Sequence, residues 1–304
     1  MDFGLVETDK KCYARLAAPA AVDWLSRRSE ARVLQVFSRS CNLISSGGSI
    51  LSLVSTELGP GPFAITVEMI GSPSKDMPGI WEDVTVFSRV RISPEQIQIA
   101  SVHINLSEAE IWNPKPAWED ISPGNLAQVY QLLHRLLCSY SPSSNAHTTI
   151  NNEQLRAFVP KWMAAWHEMS AGLQKFDIVQ AKLGAKKMAG LGGGLTPAGD
   201  DFLMGFIYSL WSQWDSKMAH TWATEIVKVA SPLTTRLSAT WLKAAANGEA
   251  TENWHRLVNA LINSDPDNLV SAASRILAVG HSSGSDALTG YIAGFMALSR
   301  VQSF

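Results

Sequence analysis

The sequence predicts an α+β fold, in which a β-rich N-terminal sheet or small barrel is followed by an α-helical C-terminal domain. Two observations predict it. The first third of the 304 residues consists of short runs of branched and aromatic residues between turn residues. From about Gly124 onward, the apolar residues recur with a helical period instead. We therefore expect one domain over residues 1–123 and a second over residues 124–304.

The predicted strands lie between residues 32 and 104. Their segments are 32–37, 42–45, 49–54, 63–69, 84–87 and 97–104. Gly47-Gly48 predicts a hairpin turn, and the run of Gly and Pro at 59–62 breaks the chain before the next strand. Several short strands at close spacing indicate an antiparallel sheet or small barrel.

The helical domain is predicted from apolar stripes that repeat to the end of the chain. The first stripe consists of Leu126, Val129, Tyr130, Leu133 and Leu136, and a connection rich in Ser, Pro and Asn follows at 139–149. Further helical patterns cover residues 152–170, 174–189, 200–214, 217–230, 232–247, 251–263, 267–279 and 285–300. This half is too long for a simple four-helix bundle.

Composition excludes several function classes. A net charge of -2 gives no electrostatic footprint for nucleic acid or an anionic membrane. No segment approaches the roughly 20 apolar residues of a membrane span, and the acidic N-terminus is unlike a signal peptide. The three cysteines match no metal pattern and indicate free thiols. We expect a cytoplasmic protein, and a homo-oligomer is compatible with few charges and 11 Trp.

Two glycine-rich loops each precede a similar helical pattern. The first is Gly192–Asp201 and the second is Gly280–Asp286. When Gly199 is aligned with Gly284, four further pairs coincide, namely Asp201/Asp286, Leu203/Leu288, Gly205/Gly290 and Phe206/Tyr291. The pattern predicts two matched helix N-termini, whose free N–H groups suit anions. The alternative is that both loops are connections with good helix caps.

The loops match no common nucleotide-binding motif. No Lys-Ser/Thr follows the first set of glycines, and a helical pattern instead of a strand precedes it. Thr196 before Pro197 has the form of a helix cap, with Asp200 as its rival. In the second loop the candidate caps are Ser282, Ser283 and Ser285.

Three aspartates complicate a simple phosphate site. Asp200, Asp201 and Asp286 already place negative charge at the helix starts. They could cap the backbone, hold Mg²⁺ against a phosphate, or accept hydrogen bonds from an amide-bearing substrate. Capping is favoured for Asp200. The histidines are scattered, with no paired spacing typical of zinc, so no protein-bound metal other than Mg²⁺ is expected.

These considerations give a set of candidate site residues. The catalytic candidates are Asp201, Asp286 and His281, where His281 is either an acid–base group or an ordinary surface histidine. The candidates for ligand binding are Asn42, Gly193, Gly194, Thr196, Gly199, Asp200, Thr235, Ser282, Ser283 and Gly284. Arg236, beside Thr235, is either an anion ligand or a solvated helix residue.

At these residues the chain resembles a known family. Residues 191–203 are similar to its hallmark Gly-x-Gly-Leu-Thr-Pro-Ser-Gly-Asp-Asp, and segments 36–43, 234–248 and 279–286 fit as well. The family was long catalogued as a domain of unknown function, and it includes the AllH-type subunit of the oxamate carbamoyltransferase of anaerobic allantoin breakdown. One departure is Ala198, where the family often has Ser.

The resemblance implies partners and a reaction. The partners would be an FdrA-type subunit, related to acyl-CoA synthetases, and a second large subunit. Together they would convert oxalurate and phosphate into oxamate and carbamoyl phosphate. The resemblance does not imply which subunit carries the chemistry. The alternatives are a non-catalytic module that binds a small anion or scaffolds its partners, and loops that serve only to pin two helices together.

Overall fold

The computed structural model describes residues 9–27, 30–70, 79–122, 126–139 and 152–299, and it confirms the α+β fold. The chain divides into two compact units, Met1–Pro114 and Lys115–Phe304. All the described strands lie in the first unit, and the long helices lie in the second. The expected domain boundary at residue 123 and most of the expected connection at 139–149 lie outside the described residues.

The first unit is a nearly closed β-sheet with one short helix. The strands are β1 (Lys10–Ala17), β2 (Ala31–Phe37), β3 (Ser40–Ser45), β4 (Ile50–Ser55), β5 (Ala64–Met69), β6 (Val90–Ile92), β7 (Gln96–Ile99), β8 (Val102–Asn105) and β9 (Glu110–Ile111), and the helix is α1 (Pro19–Ser26). Their order is β2-β3-β4-β5-β1-β8-β7-β6, with β9 beside β1. The edge strands β2 and β6 contact each other, which nearly closes the sheet.

Alternate residues of these strands form the core of the first unit. Leu43 on β3, Leu53 on β4 and Ile65 on β5 are fully buried in it. The helix α1 adds Trp24, whose ring nitrogen donates to the carbonyl oxygen of Ser49 at 3.0 Å. Cys12 and Cys41 are free thiols, as expected, and burial raises the pKa of Cys12 to about 11.

The strand predictions hold with two exceptions. Residues 84–87 are a turn, because Thr85 bonds to Ser88 instead of to a neighbouring strand: the Thr85 N–H donates to Ser88 Oγ at 2.9 Å. The predicted strand 97–104 is a hairpin of β7 and β8, because Ala100 adopts a left-handed φ of 50°. The sequence patterns did not reveal β1, β6, β9 or α1.

The second unit confirms the helical predictions, with shifted ends. Its helices are α2 (Leu126–Ser139), α3 (Asn152–Gln174), α4 (Ile178–Met188), α5 (Ala198–Gln213), α6 (Ser216–Ala230), α7 (Arg236–Ala246), α8 (Glu252–Ile262), α9 (Pro266–Leu277) and α10 (Ser283–Ser299). Asp177, Asp215 and Asp265 cap α4, α6 and α9 by accepting from backbone N–H groups of the first turn. These caps explain where three of the helices begin.

Helices α5 and α10 lie side by side at the centre of the second unit. Almost every residue of α5 is buried, which is typical of a helix surrounded by others. Glycines let the two backbones approach closely: a Cβ on Gly205 would overlap the carbonyl of Ala287, and one on Gly290 would overlap that of Phe202. Thr196 Oγ1 and Ser283 Oγ lie 3.0 Å apart at the helix starts, and further along both helices a Cβ on Gly294 would overlap Ser209 Oγ. The helices therefore run in the same direction and begin at the same end.

Candidate functional site

The two glycine-rich loops meet where α5 and α10 begin. Thr196 Oγ1 and Ser283 Oγ lie 3.0 Å apart and form a hydrogen bond between the loops. Gly199 and Gly284 pack each helix start against the end of the preceding helix, because a Cβ would overlap the carbonyl of Met188 or of Ile276. The sequence prediction of two matched helix starts is thus realised as one joint feature.

Asp201 lies in the first turn of α5, and its side chain is buried. It is 6% exposed, and its Oδ2 atom has no hydrogen-bond partner among the described residues. Burial, helped by the nearby charges of Asp286 and Asp200, raises the pKa of Asp201 to about 8. The hydroxyls of Ser283 and Thr196 oppose that shift. Asp201 is therefore largely neutral near pH 7.

Asp286 occupies the equivalent position in α10. It is half-buried, and its Oδ2 atom is buried without a partner among the described residues. Burial raises the pKa of Asp286 to about 6, and the hydroxyl of Ser282 opposes the shift. The two helix starts therefore hold two carboxyl oxygens whose hydrogen-bonding capacity is unused. Leaving such an atom buried and unpaired costs roughly 1–3 kcal/mol.

Asp200 has a different role from its neighbour. Its carboxylate accepts from the Gly190 N–H at 2.9 Å and from the Thr234 hydroxyl. Asp200 therefore binds a backbone N–H, as its favoured capping role predicts, but it is not the cap of α5, because α5 already begins at Ala198. The prediction that Thr196 caps α5 is also wrong. Pro197 occupies the N-cap position, and it makes no side-chain hydrogen bond to the first turn of α5. Burial raises the pKa of Asp200, and its hydrogen bonds oppose that shift.

Thr235 holds the first loop from the other side. Its hydroxyl donates to the Leu195 carbonyl at 2.6 Å and accepts from the Ser238 N–H, which makes it the cap of α7. Ser238 Oγ also lies 3.4 Å from the Leu195 carbonyl. Both hydrogen-bonding directions of Thr235 are thus engaged within the protein. Arg236 is exposed at the start of α7.

Four of the candidate residues are exposed on the two glycine-rich loops. Gly193 and Gly194 are exposed, and a Cβ built on either would have no atom within 4 Å. His281 and Ser282 are exposed in the turn before α10. Their expected contacts with a ligand stay predictions.

Asn42 belongs to the other unit. It lies on β3, is buried, and its Oδ1 atom accepts from Ser52 Oγ at 2.6 Å. Its expected role in ligand binding also stays a prediction.

Gly190, Thr234 and Ser238 help to hold the first loop in place. The hydroxyls of residues 231–238 indicated that this segment joins the site, but sequence reasoning missed Gly190 and the individual contacts. Within the described ranges, no group of three or more His, Cys, Asp or Glu side chains is arranged to hold a metal ion. No helix in the described part of the chain is long and apolar enough to cross a membrane.

Two family models match most of the chain. The family model described as oxamate carbamoyltransferase subunit AllH matches residues 188–295, which include both glycine-rich loops. The model described as the AllH family N-terminal domain matches residues 6–111, which include the nearly closed sheet. Together they cover most of the chain. No solved structure matches it.

Proposed function

Because the chain belongs to the AllH family, we propose that it binds a small anionic carbamoyl or carboxylate ligand where α5 and α10 begin, as part of an oxamate carbamoyltransferase complex. Family membership suggests the complex. The position of the ligand is our own proposal, and it rests on the contacts of the described residues.

One observation carries the proposal: at the joined helix starts, Asp201 and Asp286 each keep a buried Oδ2 atom that has no hydrogen-bond partner among the described residues. A ligand with an amide N–H would give such an atom the hydrogen bond that it lacks. Oxamate and oxalurate both carry an amide and a carboxylate. Their carboxylate suits the positive end of a helix dipole.

The protonation of Asp201 removes an objection to an anionic ligand. Two ionised aspartates would repel a carboxylate or a phosphate. A neutral Asp201 instead offers an O–H donor as well as an acceptor. The site then accepts one anion beside Asp286 without a cation.

The same neutral acid suits carbamoyl transfer. In that reaction a phosphate oxygen bonds to the carbamoyl carbon of oxalurate, and the bond from this carbon to the oxamate nitrogen breaks. The nitrogen leaves with the electron pair and takes a proton from Asp201, and the proton of the attacking phosphate restores the acid. The positive ends of the two helix dipoles stabilise the negative charge that develops on oxygen. His281, which is exposed in the turn before α10, is the alternative proton donor.

A Mg²⁺ ion bridging Asp201 and Asp286 to phosphate is the alternative ligand arrangement. Oxygen ligands suit Mg²⁺, but both carboxyls would have to be ionised. The raised pKa of Asp201 opposes this near neutral pH. Binding measured with and without Mg²⁺ separates the two arrangements.

The proposal is tested by calorimetric titration of the full-length protein with oxamate, oxalurate, carbamoyl phosphate and phosphate. We expect Asp201→Asn combined with Asp286→Asn to weaken oxamate binding about 100-fold, or ~3 kcal/mol. Asp215→Asn is the matched control, because Asp215 caps α6 and Asn caps equally well. Unchanged oxamate binding by the double variant would contradict the proposed site.

Turnover is measured in the complex reconstituted with the FdrA-type and second large subunits that the resemblance implies. We expect the double variant to lose turnover while the Asp215→Asn complex keeps it. If the double variant binds no ligand but turns over normally, the chain is a non-catalytic module that binds an anion or scaffolds its partners.

A further inference from the structure

The start of α4 presents large apolar side chains to solvent. Val179 is 66% exposed and Leu183 is 48% exposed, and the two lie about one turn apart on the same side of the helix. Phe176, just before the helix, is 52% exposed. These three residues form what we call the α4 face. Grouped apolar side chains on a protein surface are typical of a site that binds another protein.

Phe176 is held on this face at a conformational cost. It lies in the turn between α3 and α4 with a left-handed φ of 53°, which bulky residues rarely adopt and glycine adopts freely. Its ring stacks on Trp214, with centroids 6.0 Å apart, and meets Trp222 edge-on at 6.4 Å. These contacts fix the ring while about half of the residue stays exposed. A ring that is already fixed loses little entropy on binding, and aromatic residues are enriched in interfaces.

The charges around the α4 face leave a positive surplus. The helix contains three lysines and no acidic residue, and two of these lysines pair with glutamates of α3 and α6. The third, Lys186, is exposed, as is Lys175 just after α3, and neither has an ion-pair partner in the described part of the chain. The carboxylate of Asp177 is engaged in capping α4. This surplus suits a partner that carries carboxylates around an apolar centre.

We infer that the α4 face is the surface on which a partner subunit docks, through an apolar centre with carboxylates around it. The family to which the chain belongs is described as a subunit, so its members have to present a surface to another chain. The inference takes from the proposed function only that the chain works in a complex. It concerns residues remote in sequence from both glycine-rich loops.

A second copy of this chain suits the α4 face less well. In a dimer with two-fold symmetry the same patch lies on both sides of the contact. Lys175 and Lys186 would then face the lysines of the other copy, and like charges across an interface disfavour it. A different subunit with the opposite charge avoids this repulsion.

The test measures the association of the full-length chain with each of the two partner subunits of the reconstituted complex, by surface plasmon resonance. Val179→Asp combined with Leu183→Asp removes the apolar centre and places negative charges opposite the carboxylates of the partner. We expect this double variant to associate about 100-fold more weakly than the wild type.

The matched control is Val22→Asp combined with Ile111→Asp, which adds the same two charges at similarly exposed residues of the first unit. We expect the control to associate as the wild type does. Urea unfolding should give similar free energies for the wild type and both double variants, because all the substituted side chains are exposed.

Two further variants test the aromatic ring and the charges separately. Phe176→Gly removes the ring and suits the left-handed turn, and it should weaken association about 10-fold. Lys175→Glu combined with Lys186→Glu should weaken association about 10-fold at low salt and by less at high salt, because salt screens exposed charges.

Unchanged association of the Val179→Asp, Leu183→Asp variant with both partner subunits would overturn the inference, and so would a wild-type chain that binds neither subunit. If the variant loses only an association between copies of this chain, the α4 face joins two copies and the inference is wrong. Oxamate titration keeps this result apart from the proposed function. The variant should bind oxamate as the wild type does, whereas a failure of the proposed ligand site would leave association unchanged.

Discussion

The two loop–helix motifs are alike along their helices and differ in how their loops are held. The first loop is tied to the start of α7 at two points, through Asp200 with Thr234 and through Leu195 with Thr235. The second is held by its own turn, where Ser285 Oγ donates to the Ser282 carbonyl at 2.7 Å, and by the bond from Ser283 to Thr196.

This difference means that contacts to α7 hold the first loop, whereas contacts within its own turn and the bond to Thr196 hold the second. Polar residues of the first loop are largely committed to the protein, so they position the loop and leave Asp201 for the ligand. The second loop presents exposed His281 and Ser282 without such ties to α7 among the described residues. Three predictions test how far the two motifs are equivalent.

The largest effect is expected at the contact between α5 and α10, where Gly205 and Gly290 let the two backbones approach closely. Gly205→Ala and Gly290→Ala each push a methyl group into a backbone carbonyl of the other helix. Because backbone cannot yield as a side chain does, we expect each to lower the free energy of unfolding by about 3 kcal/mol or more. Urea unfolding measures this loss.

Gly193→Ala is the control for the Gly205 and Gly290 variants, since its methyl group meets no atom within 4 Å. It should change the free energy of unfolding by less than about 0.5 kcal/mol. A loss at Gly290 much smaller than that at Gly205 would show that the motifs are not equivalent along their helices.

The sequence predicted the motif pair well because its signal is local. Glycines and apolar positions recur in register, and the same recurrence located Asp201 and Asp286. It could not predict the ties of Asp200 and Thr235, because these join segments about 35–40 positions apart through single hydroxyl and carboxylate contacts. A carboxylate next to a helix start looks the same in sequence whether it caps the helix or reaches another segment.

The nearly closed sheet shows the same limit. The hairpin at Gly47-Gly48 was predictable because Gly48 adopts a φ of 82°, which glycine favours. The strand β1 was not, since it pairs in parallel with β8, far along the chain, and its sequence Lys-Lys-Cys-Tyr-Ala-Arg-Leu-Ala lacks a strong branched pattern.

The second prediction concerns the loops themselves. Asp200→Ala leaves the part-buried Gly190 N–H and Thr234 hydroxyl without their acceptor, which should cost about 2 kcal/mol of unfolding free energy. Ser285, the aligned equivalent of Asp200, bonds only within its own turn in the described structure. Ser285→Ala should therefore cost about 0.5 kcal/mol. If urea unfolding shows equal losses of unfolding free energy in the two variants, the two loops are held equally strongly.

The smallest expected effect is a difference between the Asp201 and Asp286 variants in how their unfolding free energy depends on pH. Both have a folded-state pKa above the ordinary value of 3.8, to about 8 for Asp201 and about 6 for Asp286. The folded protein therefore holds these protons more tightly than the unfolded chain, and stability falls as pH rises between about 4 and 8. Above pH 6 most of the fall belongs to Asp201, because Asp286 is already about half ionised at pH 6 and loses its remaining proton soon above it. We expect the wild type to lose about 2 kcal/mol of unfolding free energy from pH 6 to pH 8.

Asp286→Asn should retain most of that loss, and Asp201→Asn should lack most of it. Urea unfolding at pH 6, 7 and 8 measures all three proteins, and an unchanged fall in Asp201→Asn would show that the more buried aspartate of the first motif is ionised throughout.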